Sequence, residues 1–154
     1  MTRGEIIEAL RAYFKIADLV CPHTYKAFGE RAWQFLDTEY LHTLLVIRRD
    51  ILKAAMTCNN YGTGGQWTQR GLRCNICQLV TDKTRANVPY LSAHVTGAAG
   101  DFDTKGISAE AARLRIQANS NLLPYPVRME AGVNWLHFDV YDTGNGQQVT
   151  MFNS

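Results

Sequence analysis

Apolar residues recur at helical spacing early in the chain and alternate in strand fashion near its end, and this change of period is what most restricts the fold. Ile6, Leu10, Tyr13 and Phe14 give residues 4 to 14 one apolar face, as an amphipathic helix requires. Pro22 suits the first turn of a brief helix running through TYKAF, which Gly29 ends. From Thr38, read as an N-cap, Leu41, Leu44, Leu45, Arg48, Ile51 and Leu52 lay a stripe along a helix of about four turns. AMTCN reads as a buried strand, residues 60–90 as mostly loop, and Ser108 as the cap of a helix through AEAARLRIQA. Pro124 and Pro126 lead into PVRME. In NWLHFDVY, Trp135, His137 and Asp139 share one face while Leu136, Phe138 and Val140 share the other, and Gly144-Asn145-Gly146 turns the chain into QQVTMF. Helices first and strands late predict an α+β fold, with N-terminal helices packed on a small, mainly antiparallel sheet.

A chain of 154 residues that is 46% apolar and 19% charged suits one domain, 1–154, with a single sizeable core. Its net charge of +2 is too small for a nucleic-acid footprint, although mild attraction to an anionic polymer fits it. The opening MTRGEIIEALRAYF carries Glu5 and Glu8 among its apolar residues, so it reads as a helix rather than a signal peptide. No later stretch approaches a membrane-spanning run. The expectation is a monomer made in the cytoplasm without a signal peptide and without membrane insertion. Four cysteines are too few for a disulfide scaffold in a domain of this size and read as thiols.

The stretch YLSAHVTGAAGDFD, residues 90–103, offers little apolar surface but carries His94 and Asp101, and the late strand adds His137. Two histidines and one carboxylate form a zinc set that leaves a fourth position for water, whose pKa falls to roughly 7. Gly97 and Ala99 are small enough for a tight turn that brings His94 and Asp101 to one point without filling the open position. Taken singly, each of these residues also fits an ordinary core or surface setting. The motifs together single them out.

HVTGAAGD has the pattern H-x-x-G-x-A-x-D, and W-L-H-F-D follows some 35 residues after it. In these motifs the chain resembles the zinc D-alanyl-D-alanine metallopeptidases, a family of carboxypeptidases, dipeptidases and phage endolysin peptidases that shares a fold with the hedgehog signalling domain. The resemblance implies zinc ligands at His94, Asp101 and His137, with Ser92 and Trp135 beside them lining the substrate site. Arg70-Gly71-Leu72-Arg73 is similar to the family's arginine turn, which implies that Arg73 holds a substrate carboxylate or an oxyanion. YFKIADLVC stands for the family's leading helix, so the resemblance covers about residues 12 to 152.

One departure concerns the general base. Many members place an acid three residues before the second histidine, where this chain has Asn134, and an amide cannot accept a proton at neutral pH. Glu130, at the end of PVRME, is the nearest upstream acid and the expected base. Asp139 is expected to orient a ligand histidine from behind, and is the next candidate for the base. GTGGQ lacks the lysine and Ser/Thr of a phosphate loop and reads as a substrate rim, and His42 reads as a surface residue. Cys74-x-x-Cys77 with Cys58, and with Cys21 or His23, fits either a second, structural metal or plain buried thiols. The resemblance implies a zinc peptidase acting on peptidoglycan stem peptides, of the endolysin type. The alternatives are a hedgehog-like zinc-binding or virion structural module without catalysis, and a cytoplasmic D-Ala-D-Ala dipeptidase.

Overall fold

A helix leaves its first backbone N–H groups without partners, and the residues ahead of three helices here meet that need with a side-chain oxygen. A computed structural model describes all residues 1–154. Ahead of α1 (Arg3–Leu10), the Thr2 hydroxyl accepts from the Glu5 N–H at 3.2 Å and the Glu5 carboxylate accepts from the Thr2 N–H at 2.6 Å, a reciprocal cap. The helix stops at Leu10 rather than at residue 14, with Tyr13 and Phe14 following in a turn, although Phe14 still reaches the core. After α2 (Ile16–Leu19), α3 (Pro22–Phe28) starts on Pro22 as its composition suggests, and a 3₁₀ segment, Gly29–Phe35, carries the chain onward.

The cap of α4 (Thr38–Val46) is Asp37, one residue earlier than the sequence reading placed it. Its carboxylate accepts from the Tyr40 N–H at 2.9 Å, while the Thr38 hydroxyl is taken up by the Arg3 guanidinium at 2.6 Å. The helix continues as a π-helical turn, Ile47–Leu52, which completes the expected length. Arg48 leaves the apolar stripe and lies over the Tyr13 ring, 4.4 Å from its centroid.

Residues 60–90 are not all loop: α5 (Gln78–Arg85) lies among them. Val80 is its one buried residue, so it has no apolar periodicity to read, and a Gln78 to Asp82 side-chain hydrogen bond of 2.7 Å supports it from outside. Ser108 caps α6 (Ala109–Ala118) as expected, accepting from the Ala111 N–H at 3.1 Å.

Five strands form one sheet in the order β1-β2-β4-β3-β5: β1 (Met56–Thr57), β2 (Ala99–Thr104), β3 (Val127–Glu130), β4 (Leu136–Asp139) and β5 (Val149–Phe152). The AMTCN strand thus shrinks to two residues at an edge. Every pairing is antiparallel except β3 with β5, so the GNG turn does not fold QQVTMF back onto its predecessor. The chain instead passes β3 and lays β5 along its far side. The architecture is α+β, with most helices ahead of the sheet in sequence.

The core lies on the helical side of this sheet. Phe138 of β4 stacks on Phe102 of β2 with centroids 5.5 Å apart, and it meets Tyr40 of α4 at the same separation. Phe14 closes the row edge-on against Phe102 at 6.2 Å. Such pairs add about 0.5–1.5 kcal/mol each beyond area burial, and the row clamps β2 and β4 in one register. No helix is long and apolar enough to cross a membrane.

Gly97 has a reason other than the open position anticipated from its size. Its φ is +73°, and a Cβ there would run into the carbonyl oxygen of Phe35, against which the turn packs. Its own carbonyl accepts from the Asp37 N–H at 3.0 Å, joining the turn to the start of α4. Gly97→Ala is therefore expected to lower stability by about 1–3 kcal/mol more than Gly144→Ala, where φ is also positive but nothing lies within 4 Å. Urea unfolding of both variants measures the difference, and equal losses would rule out the packing role.

Candidate metal centre

The antiparallel register of β2 and β4 sets Asp101 directly beside His137, and Ala99 beside Asp139. Because Phe102, Leu136 and Phe138 face the core, their neighbours Asp101, His137 and Asp139 face the other side. His94 reaches the same point from the turn before β2. There the Ala98 N–H bonds back to the Ala93 carbonyl at 2.8 Å, and the Ser92 hydroxyl accepts from the His94 N–H at 3.3 Å. His94, Asp101 and His137 each direct one donor atom into a space where all three atoms lie within 4.8 Å of one another.

Both imidazoles are held by an outer partner, which fixes the nitrogen each presents. His94 Nδ1 lies 2.9 Å from the Gly71 carbonyl oxygen, which can only accept, so Nδ1 carries the proton and Nε2 faces Asp101 Oδ2 at 3.4 Å. His137 Nε2 lies 2.8 Å from Asp139 Oδ2 and its Nδ1 lies 2.7 Å from Asp101 Oδ1. Asp139, fully buried, is itself gripped through both oxygens by Arg128 at 2.8 and 2.9 Å and accepts from the Tyr141 N–H at 3.1 Å. An acceptor behind each ligand histidine is the usual way metal sites fix tautomer and ring orientation.

The donor set fits zinc. Tetrahedral bonds of about 2.0–2.2 Å separate neighbouring donors by about 3.4 Å, as His94 and Asp101 are. The shorter His137 to Asp101 contact is a hydrogen bond, with a proton lying where a cation would otherwise bind. Burial alone would raise the Asp101 carboxyl, but hydrogen bonds from His137 and His94 outweigh it and hold it well below the usual carboxylate range. Burial would lower the His137 imidazole, yet its bonds to Asp101 and Asp139 lift it from 6.5 to about 9. Asp139 follows Asp101: burial opposes ionisation, and the bonds from His137 and Arg128 prevail.

A cavity of about 470 Å³ opens over this group, and Glu130, Arg73, Ser92 and Trp135 line it as well. Glu130 is only 9% exposed. It stands one step along the β3–β4 register from the Met129–Phe138 pair, which brings it alongside His137, and the Ser154 hydroxyl donates to its Oε1. Arg73 donates through Nε to the Gln69 carbonyl at 2.6 Å and through Nη1 to the Tyr90 hydroxyl at 2.7 Å, which leaves Nη2 3.7 Å from Asp101 Oδ2. Trp135 and Arg73 also border a second cavity of about 520 Å³, rimmed by Gln66, Trp67 and Arg70. Asn134 is exposed and faces that second cavity.

No protein-family model, curated protein or solved structure matches the chain.

Some residues lay outside the sequence reading. Arg128 was legible, since Val127 and Met129 alternate inward and put Arg128 on the face of Glu130. Arg113 of α6 gave no local signal. It is 4% exposed and donates to the carbonyls of Val133 and Trp135, fixing the loop that enters β4. Arg70 is buried, forks onto Asp103 and lies over the Trp67 ring. His42 is half-buried against Tyr125 rather than free on the surface.

A second gathering of ligand-type side chains lies away from the first. Cys21, His23, Cys74 and Cys77 bring their donor atoms within 4.8 Å of one another. Cys58, grouped with them from sequence, is instead a fully buried member of the main core.

The raised His137 imidazole gives the metal-free chain one pH-dependent contribution to its stability. A proton held more tightly in the folded state stabilises it fully below about 6.5, and this contribution is lost as pH rises through about 9. The melting temperature of metal-free protein should fall over that interval, and the fall should be smaller in His137→Gln. Parallel pH profiles for the two proteins would contradict the assignment.

Proposed function

We propose that this chain is a zinc-dependent peptidase that hydrolyses peptide bonds in peptidoglycan stem peptides, in the manner of the zinc D-alanyl-D-alanine peptidases that its motifs resemble. The observation that carries the reading is the joint one: His94, Asp101 and His137 converge, each imidazole is locked from behind, and Glu130 shares their cavity. Bound by these three, zinc supplies Lewis acidity, which polarises a peptide carbonyl and makes water acidic near neutral pH.

The remaining roles belong to the chain's own groups. Glu130 takes the proton from the attacking water as the new C–O bond forms, and returns it to the amide nitrogen as the C–N bond breaks. Arg73 keeps its Nη2 beside the ligand carboxylate, and its charge favours the developing oxyanion or a carboxylate of the stem peptide. Trp135 walls both cavities, so an extended peptide can lie across the ligand group from one into the other. Ser92 serves the site by bracing the His94 turn. Asp139 works through His137, because both its oxygens are already engaged.

A binding module without catalysis is the rival reading, and the placement of Asn134 where many of the peptidases its motifs resemble carry an acid favours it. Digestion of purified peptidoglycan, with and without a chelator, separates the two. Wild-type protein should release new amines only when metal is present. Glu130→Gln should keep its zinc and its melting temperature while turnover falls by roughly 10² or more. Metal-loaded wild type that releases nothing would overturn the peptidase reading, and a near-normal Glu130→Gln would overturn the base.

Arg73 is tested in the same assay. Lysine keeps the charge but loses the planar fork, so Arg73→Lys should fold, bind zinc and lose about 2–4 kcal/mol of transition-state stabilisation. Arg85→Lys, on the exposed end of α5, should match wild type. Equal activity of Arg73→Lys and wild type would remove Arg73 from the chemistry.

A further inference from the structure

Between Cys58 and Phe102 the main core receives a single residue, Leu72. Ala93, Ala98 and Ala99 pack apart from it with Val140 and Tyr141, but the stretch from residue 59 to 90 needs another means of attachment. What it has instead is a small cluster of Cys21, Cys77 and Val80, with Cys74 and Tyr90 packed on it, and His23 lies at the rim.

The distances inside that cluster describe a metal cage. Cys74 Sγ and Cys77 Sγ are 3.8 Å apart, and His23 Nδ1 stands 3.5 Å from the first and 3.7 Å from the second. Zinc bonds of about 2.3 Å to sulfur and 2.0–2.1 Å to nitrogen, set tetrahedrally, place sulfurs about 3.8 Å apart and sulfur about 3.5 Å from nitrogen. A disulfide would need its sulfurs about 2.05 Å apart, and all four cysteines of the chain are free thiols. Three soft sulfurs and one imidazole complete a four-coordinate set, which leaves no position for substrate or water and marks a structural site.

We propose that Cys21, His23, Cys74 and Cys77 form a closed zinc site that ties the start of α3 to the segment between Cys58 and Phe102. Two ligands come from each side of the junction. Hydrogen bonds already join the two stretches there: the Cys21 N–H donates to the Leu72 carbonyl, the Leu72 N–H to the Leu19 carbonyl and the Asn59 N–H to the Asp18 carbonyl, and the Asn59 amide and Tyr61 hydroxyl donate to the Val20 carbonyl. Arg73 lies between Leu72, which is held by the core, and Cys74, which is held by the metal. The clasp therefore sets where that guanidinium begins its reach toward Asp101.

This proposal does not rest on the peptidase reading, and the experiment keeps them apart. Wild-type protein purified under reducing conditions should carry about two zinc per chain, and the His94→Ala/His137→Ala double variant about one. Cobalt loaded into the double variant should show intense thiolate-to-metal charge-transfer absorption, and the metal should slow reaction of the thiols with an aromatic disulfide reagent. Cys74→Ser/Cys77→Ser should lose the charge-transfer bands. Limited proteolysis of wild type should cut within residues 60–90 faster after metal removal. A cobalt spectrum without thiolate bands, thiols equally reactive with and without metal, or a Cys74–Cys77 disulfide in reduced protein would each overturn the proposal. All of these readouts stand whether or not peptidoglycan is cleaved.

Discussion

The pairing of Asp101 with His137 across β2 and β4 is the contact on which the site depends, and it is fixed from the opposite side of the sheet. Phe102 and Phe138, the next residues along each strand, stack on each other in the core. A slip of one residue would carry the aromatics out to solvent and the carboxylate and imidazole inward. Packing below thus chooses the partners above. The Tyr40 ring holds the same row from α4, so the longest helical run of the chain also contributes to ligand geometry.

The charges gathered above the sheet answer one another. Buried carboxylates at Asp101 and Asp139 are costly unless they are matched, and Arg128, Arg73 and the two imidazoles supply the match. Arginine suits the outer position because its rigid fork engages both oxygens of Asp139 while its face lies 4.7 Å from the Phe152 ring centroid. A divalent cation at the ligand set would exchange a shared proton for a stronger charge, with the outer hydrogen bonds already in place.

Much of this site was legible in the sequence because it follows strand alternation, which is local. His137 and Asp139 on one face and Phe138 on the other follow from NWLHFDVY alone, whereas His94 and Asp101 were pointed out by the resemblance of their motif, and their donor atoms do gather with that of His137. The errors have physical causes of their own. The α4 cap moved to Asp37 because Arg3 claimed the Thr38 hydroxyl, a long-range contact that no local pattern encodes. The α5 helix was missed because it buries only Val80. β5 was placed after β4 in space as well as in sequence, whereas it pairs with β3. Gly97 was read as clearing space for water, but its position is set by the Phe35 carbonyl behind it. Membership of the cysteine cluster could not be read from spacing, since Cys21 and Cys58 differ only in which core they join.

Because residues 59–90 give the main core only Leu72, the two halves of the cleft draw their rigidity from different sources. Asp101, His137 and Glu130 sit on strands built into the main core, whereas Arg73, Trp67 and Gln66 sit on chain that gives that core only Leu72. Regions with few buried apolar contacts open at lower free energy than core strands. The wall carrying the arginine is therefore held mainly by polar links, among them the Arg73 N–H to the His94 carbonyl and the Asp101 N–H to the Arg70 carbonyl, whereas packing holds the ligand group beneath it.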